Sequence, residues 1–196
     1  MVVMDIQILK NKYKNKSITR KEILALGVSA QNLKTWLNKG QVERISWGVY
    51  RLSEDIPEDE FYDQMFRDAT KITGPKSAVC LLSALEYYHL TDLISEKVWI
   101  MVSFDKGSKS KQIKLFRSRA PHWSIGILRK TGYRITSIER TLIDCLIHKS
   151  KIDRSTSIAA VKKAIKAKKT SIKKLGDMAR QLQVRKRLDP VFEVLI

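Results

Sequence analysis

The residues best suited to chemistry form a short, amide-rich set: Gln31, Asn32, Lys34, Thr35 and Asn38. A Gln or Asn side chain carries a donor and an acceptor on one plane, so it can bond both edges presented by an adenine in a major groove. Lys reaches guanine or phosphate. On a helix beginning at Ala30, turning about 100° per residue, Gln31, Thr35 and Asn38 share one side, flanked by Asn32, Lys34 and Lys39. Leu33 and Leu37 stack on the opposite side, with Ala30 and Trp36 beside them. A merely solvated helix face is usually rich in Glu and Lys, and this one is not. Ser29, Lys39, Arg44, Ser46, Trp47 and Arg51 add donors before and after the helix, and Arg44 and Arg51 read as phosphate contacts. Trp47 suits either a sugar of the same backbone or a packing site on the helices.

The elements that must position these groups are legible between Ile18 and Leu52. Thr19 followed three residues later by Glu22 is a capping box, which starts a helix carrying Ile23, Leu24 and Leu26. Gly27 stops it in a left-handed conformation, Val28 fills the turn, and Ser29 caps the second helix, which Gly40 ends. Val42–Ile45 and Val49–Leu52 read as strands joined at Ser46-Trp47-Gly48, a hairpin with Gly at the turn. Two helices, a tight turn and a hairpin make a winged helix-turn-helix, a shape suited to a DNA major groove and the strands beside it. A buttressing helix over Asp5–Asn15 precedes it.

Composition sets the class of partner. The 196 residues include 38 Lys and Arg against 20 Asp and Glu, a formal net charge of +18, and 43% are hydrophobic. That share can bury a core, and the charge suits a polyanion. The excess is uneven: net +5 over residues 1–56, −5 over 57–105, +10 over 106–152 and +8 over 153–196. Lys106, Lys109, Lys111, Lys114, Arg117 and Arg119 fall within 14 residues with no acid among them, and they read as phosphate contacts. Cys80 and Cys145 lie in apolar helical patterns and form neither a disulfide framework nor a metal motif, which fits a reducing cytoplasm. No apolar run approaches the ~18 residues of a membrane span, and the first residues lack the pattern of a signal peptide.

The acidic stretch Ser53–Pro57 marks the expected boundary between a domain over 1–56 and another over 57–196. Helices are predicted over Glu58–Thr70 and Ser77–Leu90, separated by Gly74-Pro75. Strands follow at Lys97–Phe104, Ile113–Arg117, Ser124–Leu128 and Tyr133–Ile135. Ser137 caps a helix through Ile147, and Arg154–Lys168, Ser171–Gln183 and Asp189–Ile196 make a helical tail. The expected fold class is α+β: a winged helix-turn-helix, then a mixed α/β domain with a small sheet and a helical C-terminal tail.

Catalytic constellations are weak. His89, His122 and His148 lie near no second ligand in a metal spacing, and His89 suits packing or capping at a helix end. No phosphate-binding glycine loop occurs. Arg140 and Asp144, four apart on a helix, read as an ordinary ion pair worth roughly 0.3–0.5 kcal/mol. Asp105, ending a strand, is the one carboxylate placed for a metal-dependent nuclease, in a loop of lysines.

Three segments carry a family resemblance: R-I-S-W-G-V-Y-R-L at 44–52, S-A-L-E-Y-Y-H-L-T at 83–91 leading into V-W-I-M-V, and I-T-S-I-E-R-T-L-I-D at 135–144. In this order they resemble the AbiEi family, the antitoxin and repressor half of AbiE abortive-infection systems. The resemblance implies a protein that binds inverted repeats in its own promoter and represses it. It implies counteraction of a nucleotidyltransferase-type toxin without a stable complex, which is type IV behaviour, through a C-terminal domain. Double-stranded DNA is the expected partner, and the residues themselves lead one to expect no cofactor, no metal, no catalytic residue and no membrane association. The tail over 153–196 is more basic than that pattern suggests. The competing readings are a winged helix fused to a nuclease-like domain and a repressor whose second domain senses a small ligand.

Overall fold

In the computed structural model, the described residues are 6–14, 16–53, 61–103, 107, 110–118 and 122–193. They divide into two compact units, Met1–Pro75 and Lys76–Ile196. The fold is α+β, as the sequence leads one to expect.

The first unit opens with α1 (Gln7–Tyr13), which buries Leu9, followed by a two-residue strand β1 (Ile18–Thr19). The capping box forms as predicted. Thr19 Oγ1 accepts from the Glu22 amide while the Glu22 carboxylate accepts from the Thr19 amide, which starts α2 (Arg20–Ala25). Gly27 has φ 81°, the left-handed value the turn needs. Ser29 Oγ then accepts from the Asn32 amide at 3.1 Å and opens α3 (Ala30–Asn38). Strands β2 (Val42–Ser46) and β3 (Val49–Leu52) pair antiparallel, and β1 pairs with the far side of β3, in the order β1-β3-β2. Ile6, Leu9, Ile18, Ile23, Val28, Leu33, Trp36, Val42, Tyr50 and Leu52 make one buried cluster.

Helix α4 (Phe61–Thr73) belongs with this first unit, so the boundary lies at 75/76 rather than 56/57. The contacts that tie it there are polar. Asp68 receives hydrogen bonds from Ser17, Arg51 and Gln64, and Lys71 pairs with Glu22 at 2.7 Å. The acidic stretch read as a linker lies mostly outside the described residues.

The second unit is built on a mixed sheet. The run from Ser77, expected to be all helix, divides into β4 (Ser77–Val79) and α5 (Leu81–Tyr87). Strands β5 (Val98–Val102), β6 (Ile113–Arg117), β7 (Ile127–Lys130) and β8 (Tyr133–Thr136) complete the order β6-β5-β4-β8-β7. β4 runs antiparallel to β5 and parallel to β8. The β5–β6 pair is parallel and the β7–β8 pair antiparallel. β4 and β5 are buried throughout, the mark of strands at the centre of a covered sheet. A 3₁₀ turn over His122–Ser124 replaces the start of the strand predicted at Ser124. Helices α6 (Ile138–Ile147), α7 (Arg154–Lys166), α8 (Ile172–Gln181) and α9 (Arg185–Glu193) follow, and their inner faces join the central strands in one core.

Candidate nucleic-acid interface

Helix α3 turns its apolar side inward. Leu33 and Trp36 are buried and Leu37 is half-buried, while Ala30, placed beside them from sequence, is exposed. On the other side Gln31, Lys34, Thr35, Asn38 and Lys39 are exposed and Asn32 is half-buried. The helix therefore brings the whole predicted base-reading set to one surface of the first unit.

Two of these groups already have work. The Thr35 hydroxyl donates to the Gln31 carbonyl at 3.0 Å, which leaves its oxygen lone pairs and methyl group to face outward. The Ser29 hydroxyl accepts the Asn32 amide, so its own proton remains available to an acceptor beside the helix start. Backbone amides of the first turn point the same way, and a helix N-terminus favours an anion there.

The wing is more sharply defined than its sequence suggests. Trp47 is 85% exposed, so it does not pack on the helices. The Arg44 guanidinium lies over its ring, 4.3 Å from the centroid, and Arg44 Nε donates to the Ser46 carbonyl at 3.4 Å. A register shift between Arg44 and Ser46 bends β2 at this place. The Gly48 carbonyl accepts the Arg20 amide at 2.8 Å, which ties the turn to the start of α2.

Arg51 departs from its expected role. Its guanidinium pairs with Glu43 at 2.6 Å and with Asp68 at 2.5 Å, and its side chain is only 18% exposed. It braces the wing against α4 rather than presenting charge to a ligand. Asp68 sits between opposed effects: burial pushes its carboxyl up, while Ser17, Arg51 and Gln64 hold it down, and burial prevails. For Glu22 the balance is the other way. Burial works against its charge, but Lys71 and the Thr19 donors outweigh it and hold the carboxyl below the usual range.

Sequence reasoning passed over a run of basic residues in the same unit. Lys10, Lys12, Lys14, Lys16, Arg20 and Lys21 are all exposed, and no acid lies among them. Their signal was legible: lysines at alternate positions from 10 to 16 lead straight into the capping box.

In the second unit, Lys106, Lys109 and Arg119 of the predicted phosphate cluster lie outside the described residues, as does the nuclease candidate Asp105. Lys111, Lys114 and Arg117 are exposed. Lys114 Nζ stands 4.0 Å above the buried Trp99 ring, so part of its role is to cover that indole. A longer run of exposed basic residues lies on α7, α8 and the turn between them. Arg154, Lys162, Lys163, Lys166, Lys168, Lys169, Lys173 and Lys174 are all exposed, with no acid between 154 and 176. Lys163 pairs with Asp92, and Lys169 donates to the Tyr88 carbonyl.

Arg140, Asp144 and His89 serve the fold. Arg140 and Asp144 form a buried pair at 2.8 Å, not the surface pair their spacing suggested. Arg140 also donates to the Ile125 carbonyl at 2.7 Å and to Ser118 Oγ at 3.2 Å. His89 is exposed and left-handed (φ 57°), terminating α5 rather than packing. Among the described residues no group of three or more His, Cys, Asp or Glu could hold a metal ion, and no helix is long and apolar enough to cross a membrane.

No curated protein matches the chain. A family model described as "Transcriptional regulator, AbiEi antitoxin" matches residues 15–53, about a fifth of the chain. That segment runs from the approach to β1 to the end of the wing, and it contains every base-reading candidate. The helix-turn-helix and wing of this protein are therefore similar to the regulator domain of AbiEi antitoxins.

Proposed function

We propose that this protein is a DNA-binding antitoxin of the AbiEi type, which represses its own operon by binding inverted repeats in the promoter and counteracts a nucleotidyltransferase-type toxin in phage defence. Gln31, Asn32, Lys34, Thr35 and Asn38 read base edges. Ser29 at the α3 N-terminus, Lys39 and Ser46 hold phosphates beside them, joined by Arg20 and Lys21 at the start of α2. Arg51 is left out of this grip, because its charge is spent on Glu43 and Asp68. The protein acts by binding in the cytoplasm, without catalysis or cofactor, and relieves the toxin without a stable complex. The second unit carries the antitoxin activity, and the exposed basic residues of its α7–α8 segment suit a polyanion.

The observation that carries this reading is the bare amide-and-lysine side of α3, in the segment that matches the AbiEi regulator model. The test is a titration of the full chain against duplex DNA from upstream of its own gene and against unrelated duplex, in dilute and moderate salt. Tighter binding to the upstream duplex, with a salt slope of about −0.9 per phosphate contact, is expected. No attraction to any duplex in dilute buffer would refute it. Co-expression with the neighbouring open reading frame tests the antitoxin half, which fails if growth arrest by that product is not relieved.

A further inference from the structure

The wing tip carries two features that a simple phosphate grip does not use. Trp47 holds an indole 85% exposed, whereas Trp36 and Trp99 are 7% and 4% exposed. The Arg44 guanidinium lies against that ring rather than reaching outward as a flexible charge. The one acid beside it in the strand, Glu43, is engaged by Arg51, so the Arg44 charge is not neutralised there. The tip is also held in place: the strand bends at the register shift before Ser46, and the Gly48 carbonyl is bonded to the Arg20 amide at the start of α2. A stacked, planar cation and a bare aromatic are thus fixed at the end of a narrow hairpin.

We propose that this Arg44–Trp47 pair enters the DNA minor groove beside the major-groove segment read by α3, and selects A·T pairs there. The inference rests on the duplex-binding reading above and adds a second point of sequence discrimination to it. Arginine is drawn to the narrow, strongly negative minor groove of A·T-rich DNA. The groove floor there offers only acceptors, adenine N3 and thymine O2, which suit a guanidinium. A G·C pair adds the guanine 2-amino donor, which opposes one. Trp47 gives Arg44 a flat support and lays apolar surface along the sugar wall. A lysine in place of Arg44 would keep the charge but lose both the plane and the stack.

The test uses the full chain and the tightest duplex it selects from a randomised 30-base-pair pool (about three turns of B-DNA). In the flanks outside the α3 segment, each adenine is replaced by 2,6-diaminopurine, which adds an amino group to the minor groove and leaves the major-groove edge intact. The wild-type protein is expected to lose about tenfold in affinity, as for one discriminating contact. Arg44→Lys and Trp47→Ala should bind the two duplexes equally, because the contact that senses the amino group is gone. Replacing flanking G·C by inosine·C pairs should raise wild-type affinity and leave those variants unmoved. Duplex binding that persists with equal wild-type affinity for adenine and diaminopurine flanks overturns the minor-groove role alone. Failure to select any duplex overturns the DNA-binding reading together with it.

Discussion

The guanidinium of Arg51 lies 2.5 Å from the carboxylate of Asp68, and this contact joins the last strand of the wing to helix α4. Asp68 is the hub of the junction, since Ser17 and Gln64 donate to it as well. Removing one partner leaves the other charge short of solvent, which costs more than the pair contributes. Asp68→Ala is therefore expected to destabilise the first unit by about 2 kcal/mol, less than a fully buried pair because some water reaches both groups. Arg51→Ala should lower the thermal midpoint likewise while leaving the salt slope of DNA binding unchanged. A slope that became shallower by about 0.9 would return Arg51 to the phosphate contacts.

The recognition surface makes the opposite prediction. Gln31→Ala and Asn38→Ala remove exposed amides and should leave folding stability within about 0.5 kcal/mol. Each should lose about 1–3 kcal/mol of discrimination at one base pair, read as relaxed preference at that position in a selected-sequence pool. Lys34→Ala has two possible signatures. A uniform loss across sequences marks a phosphate contact, whereas a loss at one position marks a guanine. Unchanged selectivity for Gln31→Ala would remove α3 from the groove.

What could be read in the sequence was local. Thr19 with Glu22, Ser29 and Ser137 each announce a helix start by a side chain that reaches its own backbone, and all three caps form. The winged helix-turn-helix was legible because it is assembled from such signals. The strand Ser77–Val79 was not, because Ala78 and Val79 run directly into an apolar helix and show no break in period. The partners of Arg51 were hidden for a different reason. Asp68 lies 17 residues away on an element that the acidic stretch at 53–57 seemed to separate. Arg140 and Asp144 show the same limit at close range, since an i,i+4 spacing does not say whether the helix face is wet or buried.

Gly126 stands against the buried arginine. Its φ is +68°, and an added Cβ would come within 2.7 Å of the Arg140 Cβ, while its carbonyl accepts the Ser137 amide at the start of α6. Gly126→Ala therefore combines left-handed strain of about 1–2 kcal/mol with overpacking of about 1–3 kcal/mol. Gly48 shares the left-handed backbone (φ +72°) but has nothing within 4 Å of such a Cβ. Gly48→Ala should cost only the strain, about 1–2 kcal/mol. Chemical denaturation of the two variants separates the contributions, and equal losses would show that the Arg140 contact yields freely.

Asp144 gives the second unit a pH dependence of definite sign. Burial pushes its carboxyl up to about 6 against the downward pull of Arg140. A carboxyl raised on folding binds its proton more tightly in the folded state, so its contribution is fully present below the unfolded value near 3.8 and is lost as pH rises through about 6. His148 runs the other way over part of that window: burial and the nearby Arg187, Arg140 and Lys151 hold it below its usual value, so acidification to its folded value costs stability. The net slope of the wild type therefore mixes the two. Comparison with Asp144→Asn isolates the carboxyl, because His148 is common to both proteins. The stability of the wild type relative to Asp144→Asn should increase by a few kcal/mol at most as pH falls from 7 to 5, followed by urea denaturation with the buried Trp99 as probe. A difference that stays flat across that range would mean the Arg140 ion pair keeps Asp144 charged throughout.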